Sequence, residues 1–147
     1  MTERTPYLAT QAAAPYSDLR QIPVSILLDN VRSMYNVGSF FRTADAAGCE
    51  KLYLFGITGR PHKRAITKTA LGAEETVPWE HPAESCSLVQ QLRQQNYEIA
   101  AVETSIHAKD LFDWQPRFPV CILFGHEWTG SGLSCWPFAT PMFVFLC

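Results

Sequence analysis

The sequence predicts an α/β domain in which a largely parallel sheet is flanked by helices. Two observations predict it. Apolar runs of strand length alternate with segments of helical period from residue 22 onward, the pattern of repeated strand–helix units. The first run, "PVSILL" (23–28), is also continuously apolar, which suits a strand buried on both faces.

The elements follow in order. Residues 1–21 carry Thr, Gln, Ala and Pro without a clear period and read as an N-terminal extension; residues 22–147 form the domain. After the first strand, "DNVRSMYN" is polar and reads as a loop. Asn36 suits the N-cap of a helix. Val37, Phe40, Phe41, Ala44 and Ala47 then repeat as one apolar stripe, and Gly48 suits the C-terminal cap. "KLYLFG" (51–56) is the next strand, and "RAITKTALGAEE" (64–75) a short helix. "TVPWEH" is a strand limited by Pro78. "PAESCSLVQQLRQQN" (82–96) is a helix with proline near its start, and "YEIAAVE" (97–103) and "PVCILFG" (119–125) are strands. Ligands in such sheets bind beyond the carboxyl ends of the strands. The polar, glycine-containing loops 29–38 and 125–132 are therefore the candidate walls of a site.

Composition narrows the class. The chain has 147 residues, 47% apolar and 18% charged, which is globular and suits one domain. A chain of this length buries roughly 68–70% of its unfolded surface, so it needs no staple. Its apolar runs fall short of the ~18 residues of a membrane span, and the N-terminus lacks the apolar core of a signal peptide, which favours the cytoplasm. Five cysteines, with no CxxC pair, predict buried reduced thiols rather than a disulfide framework or a zinc site. The four histidines have no ligand spacing, so no metal is expected. Net charge is −2, so any nucleic-acid contact must use a local patch.

Three stretches carry candidate chemistry, each with a plainer alternative. Asn36 at a helix start would stand near free N–H groups that favour anions, with Arg42 within reach of a phosphate. The plainer reading makes Asn36 a cap and pairs Arg42 with Asp45 on a solvated face. "FGHEWTG" places Gly125 and Gly130 around Glu127, which permits close backbone approach to a ligand or serves simple turn chemistry. "GRPHKRAITK" gathers Arg60, Lys63, Arg64 and Lys68, suited to phosphate contacts or to solubility.

Taken together, "NVRSMYNVGSFFRTADAAG" (30–48) resembles the first motif of the SpoU (TrmH-like) RNA methyltransferases of the SPOUT superfamily, and "LFGHEWTG" (123–130) resembles their second. The likeness covers about residues 22–130. It implies S-adenosylmethionine as cofactor, methyl transfer to a ribose 2′-hydroxyl of tRNA or rRNA, a homodimer, and a domain whose C-terminal part is tied in a trefoil knot. It implies catalytic roles for Asn36, Arg42 and Glu127 and cofactor contacts from Leu123, Gly125 and Gly130; by their charge, Arg32, Arg42 and the basic cluster Arg60, Lys63, Arg64 and Lys68 are the expected RNA contacts.

The resemblance stops after about residue 130. The family's third motif, Ile-Pro-Met-x-Gly followed by Ser-Leu-Asn and a closing helix, is echoed only by "TPM" (140–142). Residues 131–147 hold no charged side chain and four aromatics, unlike a native helical surface. The ending reads as truncated or frame-shifted, with a divergent ending whose "MFVFL" forms a last buried strand as the alternative. A knot and cofactor pocket lacking that motif are expected to be incomplete, and cofactor binding weak or absent. The rival functions are a non-catalytic RNA-binding remnant and an α/β interaction module with no RNA role.

Overall fold

The computed structural model describes residues 20–102 and 108–125, and the backbone of 140–142. Along the chain run β1 (Ile22–Asp29), α1 (Met34–Ala47), β2 (Cys49–Phe55), α2 (Arg64–Ala70), α3 (Ala73–Thr76), β3 (Trp79–Glu80), α4 (Ser85–Gln94), β4 (Glu98–Val102), a 3₁₀ turn (Leu111–Asp113), β5 (Val120–Gly125) and β6 (Thr140–Met142). The six strands form one sheet in the order β3-β2-β1-β5-β4-β6, and every pairing is parallel.

The chain winds outward from β1 to β2 and β3, then returns to the other side for β5, β4 and β6. The order therefore reverses between β1 and β5. In open α/β sheets the crevice at such a reversal is where ligands bind. The last pair in that register is Asp29 with Gly125, so the candidate loop at 29–38 starts beside Gly125, the first residue of the candidate loop 125–132.

Side chains alternate between two cores, as strand geometry requires. Val24, Ile26, Leu28, Leu52 and Leu54 face Val37, Phe41 and Ala44 of α1, with Ile66 and Ala70 of α2. Leu27, Tyr53, Cys121 and Leu123 face Leu88, Val89 and Leu92 of α4. Both sides of the central strands are thus covered, which explains why the first strand reads as a continuous apolar run.

Helix α1 begins earlier than expected. Ser33, not Asn36, is the N-cap; its hydroxyl accepts a hydrogen bond from the Asn36 backbone N–H at 3.2 Å. Both residues suit a cap, and the one in extended backbone wins: Ser33 has ψ 111°. Gly48 closes the helix in the left-handed region, φ 72°, as expected. Within the stripe, Val37, Phe41 and Ala44 are fully buried, whereas Ala47 is exposed.

The segment expected as one helix at 64–75 is two. Leu71, at φ 52°, and Gly72, at φ 93°, turn the chain between α2 and α3. The Glu74 carboxylate then accepts from the Gly72 N–H at 3.0 Å and fixes the corner. Helix α4 starts at Ser85, three residues inside the expected span. Cys49 and Cys121 are free and buried, as expected, but Cys86 is disulfide-bonded, against the expectation of reduced thiols throughout. Spacing along a chain cannot register which cysteines the fold brings together.

The last strand, Thr140–Met142, adds in parallel to β4 at the sheet edge, the position in which a proline is tolerated. It overlaps the alternative final strand "MFVFL" only at Met142. The knot expected of the ending falls on residues outside the described ones.

Candidate active site

Two side chains tie together the loops at the carboxyl end of the sheet. Asn30, in the left-handed region at φ 54°, donates from its amide nitrogen to Asp29 at 2.8 Å and accepts from the Ile57 N–H at 3.0 Å. Asparagine tolerates that backbone better than most residues. Gly56 lies against it so closely that a Cβ there would stand 2.0 Å from Asn30 Oδ1. Thr58, which is buried, donates to the carbonyls of Leu28 and Phe55 and accepts from the Val31 N–H at 3.0 Å. The loop after β1 is thus fixed to the loop after β2. Neither Asn30 nor Thr58 was singled out from the sequence; Asn30 could have been, because asparagine directly after a strand is a recognised turn signal.

Helix α1 then leaves this fixed loop. Asn36 is exposed in its first turn and Arg42 is exposed further along. Six residues separate them, which on a helix is about 9 Å along the axis and about 120° around it. They do not share one stripe, and only the length of the arginine side chain can bring both to one ligand. Among the described residues Arg42 has no ion-pair partner. Asp45, the partner of the plainer reading, instead accepts a hydrogen bond from Thr76 at 2.8 Å. Arg42 lines an open groove of about 430 Å³ with Asp45, Leu71, Gly72 and Thr76.

Phe40 joins the two motif regions. Its ring lies 4.8 Å from that of Phe124, tilted by 59°, so α1 packs on the end of β5. Gly125 follows as the last residue of β5, half-buried and paired with Asp29. Leu123 is different: its side chain is buried on the α4 side and its backbone lies in the ladder between Leu27 and Ala101. Gly125 stands at the rim of the sheet, whereas Leu123 lies inside it. Glu127 and Gly130 lie outside the described residues.

The basic candidates fall around the start of α1 and α2. Arg32 is exposed on the loop before α1, and Arg60, Lys63 and Arg64 are exposed on the approach to α2. Lys68 reaches back from α2, its Nζ 5.9 Å from the centre of the Tyr35 ring. The two helices approach closely because residue 38 is glycine: a Cβ there would lie 1.9 Å from Thr69 Oγ1 and 2.4 Å from the Ile66 carbonyl. Thr69 Oγ1 also donates to the Tyr35 carbonyl at 2.8 Å. Tyr35 and Lys68, separated by some thirty positions of sequence, therefore meet where α1 and α2 pack together. Among the described residues there is no group of acidic, histidine or cysteine side chains able to hold a metal ion.

Known proteins resemble this chain in sequence and in fold. The profile of the SpoU rRNA Methylase family matches residues 23–135, which takes in both motif regions. The chain is 29% identical over 111 residues to the tRNA (guanosine(18)-2′-O)-methyltransferase of Escherichia coli K12, covering 76% of this chain and 48% of that protein. It is 28% identical over 137 residues to the 23S rRNA (uridine(2479)-2′-O)-methyltransferase of Streptomyces viridochromogenes, covering 87% and 48%. It is also similar to the AdoMet-bound rRNA methyltransferase structure from Sinorhizobium meliloti, with TM-score 0.73, 25% identity, and coverage of 85% and 48%. The A. aeolicus TrmH/SpoU tRNA modifying enzyme shares the fold at TM-score 0.76 and 21% identity, covering 87% and 64%. The chain spans about half the length of the curated relatives it matches. With three quarters of its residues inside the family profile, and with the parallel sheet of its structural neighbours, this chain belongs to the SpoU rRNA methylase family.

Proposed function

We propose that this chain is a methyltransferase domain acting on a ribose 2′-hydroxyl of tRNA or rRNA, with S-adenosylmethionine as methyl donor. The observation that carries the reading is the pairing of Asp29 with Gly125 at the reversal of strand order. It sets the loop of the first motif beside the glycine of the second, where α/β sheets bind ligands. The described residues fit the donor in one respect: Gly125 ends β5 with no side chain, so a ligand can approach its backbone. Gly125, with Gly130 and the backbone near Leu123, would hold the donor. When bound, S-adenosylmethionine supplies an electrophilic sulfonium methyl.

The remaining difficulty is the 2′-hydroxyl, a poor nucleophile while protonated. Arg42 is a poor general base, because a guanidinium offers only N–H donors and no acceptor lone pair. Its role is to stabilise negative charge developing on the oxygen and to anchor the adjacent phosphate. Its lack of an ion-pair partner among the described residues leaves it available for that. Asn36 orients Arg42 or the ribose, and Glu127 holds the arginine or its loop. Arg32, Arg60, Lys63, Arg64 and Lys68 contact RNA phosphates. The working form is a cytoplasmic homodimer. In a relative carrying all three motifs, the change equivalent to Arg42→Lys is expected to lower turnover; normal turnover would rule out a need for the planar fork.

Transfer of labelled methyl to bulk tRNA or rRNA by the full chain tests the reading, with label expected on ribose. A second reading, a non-catalytic RNA-binding member, predicts weak or absent donor binding. Calorimetry giving micromolar affinity at one site per chain would overturn it. Salt-dependent RNA binding that is lost on charge reversal at Lys63 and Arg64 would exclude a module with no RNA role.

A further inference from the structure

We propose that Tyr35 is a stacking platform for an unpaired RNA base next to the modified ribose, with Lys68 as its phosphate-side partner. The inference rests on the RNA reading above and sharpens it to single-stranded RNA. Tyr35 directly precedes Asn36, yet its side chain is not part of the core: it is 51% exposed. Its backbone is fixed, because the Thr69 hydroxyl donates to its carbonyl at 2.8 Å and Gly38 lets α2 approach α1 closely. Lys68 places its ammonium 5.9 Å from the ring centre. An aromatic ring on a fixed backbone, half open to solvent and with a cation over one side, is what sequence-tolerant binding of single strands uses. Bases stack on the ring while the cation follows the backbone. A duplex keeps its bases stacked on one another and offers nothing to such a ring. The neighbouring cations Lys63 and Arg64 continue the patch toward the start of α2.

The test uses the full chain and two RNAs, a short single strand carrying 2-aminopurine and a duplex of equal length. The unmodified chain is expected to bind the single strand more tightly and to quench the 2-aminopurine. Tyr35→Phe is expected to keep both properties. Tyr35→Leu, which retains bulk without the π face, is expected to lose about tenfold in affinity for the single strand and to lose the quenching. Its duplex binding and thermal midpoint should stay near those of the unmodified chain. Lys68→Gln is expected to reduce the slope of log affinity against log salt by about 1. Unchanged single-strand affinity and quenching in Tyr35→Leu, with the unmodified chain binding RNA, would overturn the stacking role alone. Failure of the unmodified chain to bind either RNA would overturn the RNA reading, and this inference with it.

Discussion

The two faces of the sheet are covered in different ways. On one face α4 packs Leu88, Val89 and Leu92 onto Leu27, Cys121 and Leu123. On the other, α1, α2 and α3 pack together as well as onto the strands, and the contact between α1 and α2 is close enough to require Gly38. The α4 face needs only an apolar stripe. The α1 face needs a stripe and a second helix held at a set distance, because Arg42, Lys68 and Tyr35 project from that pair. Apolar burial stabilises both faces, but only on the α1 face does helix–helix spacing also set the position of outward polar groups.

The largest test of this contrast is a pair of core truncations. Phe41→Ala, in the fully buried centre of the α1 face, is expected to cost about 3–5 kcal/mol, and Leu92→Ala on the α4 face about 2–5 kcal/mol. Urea unfolding measures both. The contrast lies in function: at matched folded fraction, Phe41→Ala should weaken RNA binding and Leu92→Ala should not. Equal weakening by both would show that the faces are not separable.

The α4 face also carries a titration. Burial, and next the charge of Glu80, push the Tyr53 hydroxyl from 10.0 up to about 12. The folded value lies above the unfolded one, so this contribution is complete below pH 10 and is lost as pH rises through 12. Urea melts from pH 9 to 12 should show a steeper decline for the unmodified chain than for Tyr53→Phe, and parallel declines would remove Tyr53 from the account. Burial likewise pushes the Cys121 thiol up to about 12, so it should react with thiol reagents only on unfolding.

Gly38→Ala probes the helix spacing directly. The new Cβ would meet a backbone carbonyl as well as a threonine hydroxyl, so the helices must shift apart. The expected cost is about 1–3 kcal/mol, with a further loss of RNA affinity because Lys68 and Tyr35 separate. Full stability with unchanged RNA binding would show that the close approach serves neither.

These elements also show what the sequence could reveal. The strands and α4 were legible because burial on both faces leaves continuous apolar runs, and a stripe leaves a 3.6-residue period. The break at Leu71 was missed, although Gly72 beside it, at φ 93°, is a breaker by type; the buried Glu74 that fixes the corner appears only in three dimensions. The final strand at Thr140–Met142 was missed because three residues containing proline show no alternation. At the candidate site, Asn36, Arg42 and the basic residues could be proposed from motifs and composition. Thr58 and Tyr35 could not, since their significance lies in contacts across roughly 30–34 positions of sequence, which no local pattern encodes.

The start of α1 gives the smallest expected effect and the finest test of the comparison. Ser33 was overlooked because Asn36 is an equally good cap by type, and only backbone conformation separates them. With Ser33 as cap, Asn36 sits inside the first turn: its N–H is satisfied by the serine hydroxyl, and the cap does not use its side chain. With Asn36 as cap, its side chain would be spent on the helix. Ser33→Ala should therefore cost about 1 kcal/mol. Asn36→Ala should cost a few tenths at most, since alanine is the better helix former inside a turn. Thermal unfolding of the two variants ranks them. A larger loss from Asn36→Ala would return Asn36 to the role of cap and take it out of the site; the expected ranking leaves the α1 face with an asparagine that folding does not require.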